Sequence, residues 1–176
     1  DLGSGDCALP LGGRSLPGGG GPVSELQTAL QAHSGNARRV LESALITKQI
    51  VDDAKRPGFC EADWNPLRDM VEVDGFIRVG NFKETMDWDG YVAFLTSWAP
   101  HAQWDADFKR VTEVGDRVFL ELEERSTVGE FDSVVNSLSV YEFNSAAKIT
   151  RIDVYLQMAL PAPELLAGYD GVEITR

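Results

Sequence analysis

Several features that would point to a particular class of function are scarce or missing in this 176-residue sequence. No apolar run reaches the roughly 20 residues that a membrane-spanning helix needs, and the opening residues do not follow the pattern of a secretory signal peptide. Positive charge is scarce, because 16 lysines and arginines stand against 28 aspartates and glutamates. The resulting net charge of −12 argues against nucleic acid or an anionic membrane as a partner.

Cysteine and histidine are also rare. The two cysteines, Cys7 and Cys60, make a poor disulfide framework. A reactive thiol needs an electropositive setting, whereas Cys60 is followed by Glu61, so we expect a free, structurally neutral thiol and a reducing, cytoplasmic location. No cluster of histidine, cysteine and carboxylate residues has metal-ligand spacing, and no nucleotide-binding motif is present. The sequence therefore predicts neither a metal nor a cofactor.

The composition is that of an ordinary globular protein, with 43% hydrophobic and 25% charged residues. Residues 1–22 are dominated by glycine, proline and serine, and we expect a flexible tail or an artificial leader there. Residues 23–160 are predicted to form one α+β domain, and residues 161–176 a C-terminal extension. The length of the chain suits a single domain of this size.

Helical patterns come early in the chain. The segment SELQ, which begins at Ser24, is a capping box that predicts a helix start. An apolar stripe of period 3.6 predicts a second helix over about residues 37–55, and another helix is expected over about residues 88–99. Alternation over residues 70–80 predicts a strand, and residues 103–114 predict a further strand.

Three β-rich runs follow, at Arg117–Val128, Val134–Asn144 and Lys148–Met158. They carry many β-branched and aromatic residues, and the breaks between them are short enough for hairpins. The expected fold class is therefore α+β, with N-terminal helices packed against an antiparallel sheet.

The segments GDRVFLELEERSTVGEF, from Gly115, and AKITRIDVYLQ, ending at Gln157, resemble the nuclear-transport-factor-two-like superfamily. This superfamily includes SnoaL-like polyketide cyclases, limonene epoxide hydrolases and ketosteroid isomerases. The resemblance implies a strongly curved antiparallel sheet wrapped around the helices, a cone shape with an internal pocket, and a homodimer formed through the outer face of the sheet.

The resemblance also implies where catalytic groups should stand. Thr127 occupies the position of the cyclase histidine and of one hydrolase aspartate, and Val154 occupies that of the acid on the last strand in both groups. Threonine and valine do not perform acid–base catalysis, so the usual cyclase and hydrolase mechanisms are disfavoured. Asp74 maps roughly to the general base of ketosteroid isomerase, and Ser139 lies near its oxyanion-hole aspartate.

In this register, Glu123, Arg125 and Thr127 face the pocket. We expect Asp74 or Glu123 as a base and Arg125 or Tyr141 as an electrophilic partner. The expected ligand contacts are Trp98, Thr127, Ser137, Ser139, Val154 and Leu156.

Local patterning leaves alternatives open. Val118, Leu120 and Leu122 form the apolar set of their strand and should face a dry surface, which a bulge would reconcile with an inward Arg125. Otherwise Glu123 and Arg125 are solvent charges. A register shifted by one residue would bring Asp153 inward in place of Val154.

Three classes of function fit these observations. The first is a cofactor-independent isomerase, dehydratase, cyclase or hydrolase that acts on a small hydrophobic molecule. The second is a non-catalytic binder of a small apolar ligand. The third is a dimeric interaction module, which predicts a solvent-inaccessible or filled cavity and an exposed apolar patch.

Overall fold

The computed structural model describes residues 24–158, so the predicted tail and C-terminal extension lie outside the described residues. The helices are α1 (Glu25–Ala32), α2 (Gly35–Asp53), α3 (Asn65–Arg68) and α4 (Trp88–Trp98). The strands are β1 (Ile77–Val79), β2 (Thr85–Met86), β3 (Ala102–Val114), β4 (Arg117–Val128), β5 (Phe131–Phe143) and β6 (Ile149–Gln157). No helix in this part of the chain combines the length and the apolar character needed to cross a membrane.

The six strands form one open sheet in the order β2-β1-β6-β5-β4-β3. The predicted α+β class and the antiparallel meander of the last three strands are confirmed. The sheet is nevertheless mixed, because β1 pairs in parallel with β6. Parallel neighbours require a crossover, and here the chain between β1 and β6 supplies it.

The segment 70–80 is less regular than its alternation predicts. Only Ile77–Val79 forms a strand, and Val71 makes a single bridge to Ile149. Met70, Val71 and Phe76 are all buried, so side chains that alternation assigns to opposite faces enter the same core. A turn between Val73 and Phe76 breaks the two-residue period.

Helices α1 and α2 begin as their sequences suggest. Ser24 and Gln27 form the predicted capping box. Ser34 provides no side-chain cap for α2; instead the carboxylate of Glu113 on β3 accepts a hydrogen bond of 2.8 Å from the backbone N–H of Ala37. A negative charge at a helix N-terminus is stabilising, so this contact ties α2 to the sheet.

The core lies between the helices and one face of the sheet. Its largest fully buried side chains are Trp64, Phe76, Leu41, Leu120, Val40, Val51 and Val118. Val118 and Leu120 share their face of β4 with Leu122, which is also buried. The alternation of apolar and polar residues along β4 therefore determines which face of this strand packs against the core.

Cys60 differs from the expectation. It is disulfide-bonded, so the prediction of a free thiol is wrong. The other cysteine in the sequence, Cys7, lies outside the described residues. Because disulfides persist mainly in oxidising compartments, Cys60 does not support a reducing, cytoplasmic location.

Candidate functional site

A cavity of about 320 Å³ lies between the sheet and helices α2 and α4. Most of its wall is apolar. The apolar lining residues include Ala44, Phe94, Leu95, Trp98, Leu120, Leu122, Val135, Ile152, Val154, Leu156 and Met158. The polar lining residues include Ser43, Thr47, Arg78, Tyr91, Trp104, Glu124, Ser126, Ser133, Ser139 and Tyr141.

Strand register explains which side chains enter the cavity. Leu120, Ser139 and Val154 are paired side by side across β4, β5 and β6. The β4–β5 pairing runs unbroken from Arg117 to Val128, so no bulge switches the face of β4 partway along. Because side chains alternate along a strand, the inward set on β4 is Leu120, Leu122, Glu124 and Ser126.

The expected inward placement of Glu123, Arg125 and Thr127 is therefore wrong by one residue. Arg125 forms two hydrogen bonds with Asp107 on the outer face, at 2.6 and 2.8 Å, and Glu123 lies 3.4 Å from the same guanidinium. The hydroxyl of Thr127 donates to Asp132 at 2.6 Å. The apolar pattern of Val118, Leu120 and Leu122 was the better guide than the resemblance.

Two further carboxylates lie away from the cavity. Asp74 is exposed in the turn that precedes Phe76. Asp153 accepts hydrogen bonds from Arg151 on the outer face, with both N–O distances at 2.8 Å. The one-residue shift that would bring Asp153 inward is therefore not present.

Five predicted residues do line the cavity: Trp98, Ser139, Tyr141, Val154 and Leu156. Ser137 lies on the same side of β5, is buried, and its hydroxyl has no hydrogen-bond partner in the structure. It does not reach the cavity surface. The roles predicted for these residues remain predictions.

The structure adds a carboxylate that sequence reasoning missed. Glu124 lines the cavity and accepts a hydrogen bond of 2.8 Å from the indole N–H of Trp104 on β3. The signal was present, because Glu124 continues the alternation of Leu120 and Leu122 by two residues. Glu124 was missed because the resemblance placed Glu123, its neighbour, on the inward face.

A second missed group is Arg78, on the short strand β1. Its guanidinium carbon lies 5.1 Å from the centroid of the Tyr91 ring, which is a cation–π distance. Glu84 is its ion-pair partner, at 3.5 Å. Nothing in the local pattern of residues 70–80 marks Arg78 as inward, because its position depends on the parallel pairing with β6.

Both cavity tyrosines are held in the neutral form. Burial raises the pKa of Tyr141, and the neighbouring Tyr91 and Glu124 raise it further. Burial also raises the pKa of Tyr91, while the nearby Arg78 lowers it by less. The two hydroxyls therefore remain hydrogen-bond donors far above neutral pH.

These shifts predict a loss of stability in alkali. An unfolded tyrosine titrates near pH 10, so above that pH the unfolded chain binds fewer protons than the folded chain and the free energy of unfolding falls. We expect the substitution Tyr141→Phe to reduce this fall between pH 9 and pH 11 by about 1 kcal/mol. Urea unfolding at the two pH values measures it.

Tyr155→Phe is the matched control, because Tyr155 is 58% exposed on the outer face of the single chain. The comparison is made at a protein concentration at which every variant is monomeric. An alkaline fall equal in wild type and Tyr141→Phe would contradict the burial of this phenol.

Within residues 24–158 no group of three or more histidine, cysteine, aspartate or glutamate side chains is placed to hold a metal ion. The chemistry available to the cavity in this part of the chain is that of Glu124, Arg78, the tyrosines and the serine and threonine hydroxyls. A carboxylate can accept a proton, and a guanidinium or phenol can donate to an oxygen. The arrangement can therefore bind a polar group, and it contains one carboxylate among its described lining residues.

Comparisons with known proteins concern the fold. No family model matches the chain, and no curated protein matches it. An NTF2-like protein of unknown function from Burkholderia pseudomallei superposes with a TM-score of 0.54 at 11% identity, over 76% of this chain and 96% of that one. An NTF2-like protein of unknown function from Cytophaga hutchinsonii gives a TM-score of 0.51 at 12% identity, over 71% and 92%. The chain has the NTF2-like fold, an α+β cone, as its sequence resemblance predicts.

Proposed function

We propose that this protein binds a small, mainly apolar molecule in the cavity between the sheet and helices α2 and α4. The observation that carries the proposal is the cavity itself, whose wall is largely aliphatic and aromatic with a few polar groups. Its volume of about 320 Å³ lies at the lower end of the range for small-molecule sites. An apolar ligand gains about 25 cal/mol for each Å² of surface that it removes from water.

One substitution can reduce the space in the cavity substantially. Ser139→Phe places a large ring at the centre of the sheet wall, between Leu120 and Val154. We expect it to weaken binding of an apolar probe such as 4-phenylbutanol at least tenfold, because the ring occupies the ligand's space. Isothermal titration calorimetry measures the dissociation constants.

Val140→Phe is the matched control, since Val140 is the next residue on β5 and faces outward. It should bind the probe as the wild type does. Equal weakening in both variants, or no effect of Ser139→Phe, would place the probe elsewhere.

A second candidate is a cofactor-independent enzyme that moves a proton on a hydrophobic substrate. The presence of Glu124 favours it, because a carboxylate beside an apolar cavity is a candidate general base. Tyr141, Tyr91 and Arg78 supply donors for a developing negative charge. Asp74 and Glu123, the predicted bases, lie outside the cavity, so Glu124 takes the role of base in this hypothesis, and Arg78 replaces Arg125.

The third class, an interaction module, receives less support. That class predicts a solvent-inaccessible or filled cavity, whereas this cavity has room for a small ligand. The exposed Val134 fits its other prediction, an apolar patch at the surface.

We also propose a homodimer formed through the outer face of the sheet. Val134 and Tyr155 are each 58% exposed there, although they are large and apolar or aromatic. Such side chains are typical of the core of an interface. Light scattering after size exclusion should give twice the mass of the chain, and Tyr155→Asp should shift the protein toward the monomer. A wild-type monomer at tens of micromolar would contradict the dimer.

A further inference from the structure

Arg78 is the one lysine or arginine among the described residues that line the cavity. It stands on β1 beside Ile152 of β6, which lines the cavity as well. Its side chain is only 15% exposed and lies over the ring of Tyr91. Removing a charge from water is costly unless it is paired and hydrogen-bonded, so this position requires an explanation.

The pairing of Arg78 is incomplete. Its Nη1 is buried and makes no hydrogen bond, while Oε1 of Glu84 lies 3.5 Å away. The carboxylate of Glu84 is 38% exposed and accepts a hydrogen bond of 2.9 Å from the backbone N–H of Phe82. Half-exposed ion pairs are weak, so Glu84 satisfies Arg78 only in part.

The negative charge of the cavity, on Glu124, lies on a different strand from Arg78. Glu124 is the one carboxylate among the described lining residues, and it occupies β4, three strands from β1 in the order β1-β6-β5-β4. It is also engaged by the indole of Trp104. The hydroxyl of Tyr91 is close enough to Arg78 to interact with its guanidinium. An acidic group placed at Arg78 thus meets donors, and Glu124 stands three strands away in the sheet.

We propose that Arg78 binds a carboxylate at one end of the ligand, so that the cavity selects small, mainly apolar carboxylic acids. The inference rests on the proposed binding function and names its ligand class. In a chain with a net charge of −12, an anion would otherwise be repelled. A buried guanidinium is the group that overcomes this repulsion, because it offers several donors in a planar fork that matches a carboxylate.

A matched pair of probes tests the inference. 4-Phenylbutyrate and 4-phenylbutanol share an apolar body and differ in the terminal group. We expect calorimetry at pH 7 to give an affinity of wild type for the acid about 10- to 100-fold above that for the alcohol, the range that hydrogen bonds to a charged group produce. Arg78→Met should abolish the preference, so that the variant binds the acid and the alcohol with affinities within about threefold of each other.

Two variants raise the affinity for the acid instead, and they remain decisive if Arg78→Met does not fold. A Cβ at Gly80 would clash with Oε1 of Glu84, so Gly80→Ala forces that carboxylate out of the position it holds 3.5 Å from Arg78. Glu84→Gln removes its charge directly. Both should bind the acid several-fold more tightly than wild type does, with the alcohol unchanged.

The outcomes separate the two claims. If wild type binds the alcohol but shows no preference for the acid, or if Arg78→Met keeps the preference, the inference is overturned and the binding function stands. No rise in either Gly80→Ala or Glu84→Gln also overturns it. If neither probe binds wild type, the binding function fails and the inference fails with it.

Discussion

Replacing Glu124 with glutamine is expected to lower the rate of a proton transfer catalysed in the cavity by about 10²–10⁴-fold, the usual contribution of a general base. The amide has nearly the volume of the carboxylate, and its oxygen still accepts the hydrogen bond from Trp104. It cannot accept a proton at neutral pH. The change therefore removes the proposed chemistry and leaves the packing in place.

The assay should use a substrate that reports proton transfer directly. A small β,γ-unsaturated ketone becomes a conjugated enone when a base moves its α-proton, and the product is followed by ultraviolet absorbance. Its oxygen can accept from Tyr141, Tyr91 or Arg78. Loss of turnover with retained binding identifies a group that acts in the transition state.

Glu123→Gln is the matched control, because Glu123 precedes Glu124 and carries the same side chain on the opposite face of β4. It should turn over the ketone at the wild-type rate. If wild type isomerises the ketone and Glu124→Gln does so equally fast, Glu124 is not the base. If wild type has no activity on such ketones, this reaction is contradicted and binding remains the supported function.

Replacing Phe76 with alanine is expected to reduce the free energy of unfolding by about 3–5 kcal/mol. Phe76 is 1% exposed and contacts two aromatic rings, with centroids 5.6 Å from that of Trp88 and 6.1 Å from that of Tyr91. Its removal leaves a hole in the core and withdraws aromatic contacts. Urea unfolding measures the loss.

A second phenylalanine, which lies in the turn after β1, provides the control. Phe82 is 81% exposed, so Phe82→Ala should change the free energy of unfolding by less than about 0.5 kcal/mol. Because Tyr91 supports Arg78, Phe76→Ala should also weaken the binding of 4-phenylbutyrate. A loss of under 1 kcal/mol in Phe76→Ala would show that this aromatic cluster contributes little to the core.

The elements that depend on local signals were predictable. The capping box at Ser24 starts α1, the apolar stripe produces α2, and the β-branched runs become β4, β5 and β6 within a few residues of the expected bounds. Neighbouring strands of a meander pair through short turns, so their order also follows from the sequence. Local chemistry specifies these contacts.

The site was harder to predict for two physical reasons. Side chains alternate along a strand, so a resemblance that is wrong by one residue exchanges Glu124 for Glu123 and turns the whole inward set outward. The inward position of Arg78 depends on the parallel pairing of β1 with β6. In the sequence, these two strands are separated by β2, β3, β4 and β5. Three residues of strand carry too little pattern to reveal that pairing.

The most direct test of a ligand-binding cavity uses the four tryptophans of the chain as reporters. Trp98 and Trp104 line the cavity, whereas Trp64 is buried, is not one of the lining residues, and donates its indole N–H to Thr96. In ¹H–¹⁵N spectra of the labelled protein, addition of 4-phenylbutanol should shift the indole signals of Trp98 and Trp104 in a saturable way and leave that of Trp64 in place. Saturable shifts confined to Trp64, or none at the two cavity tryptophans, would contradict the account.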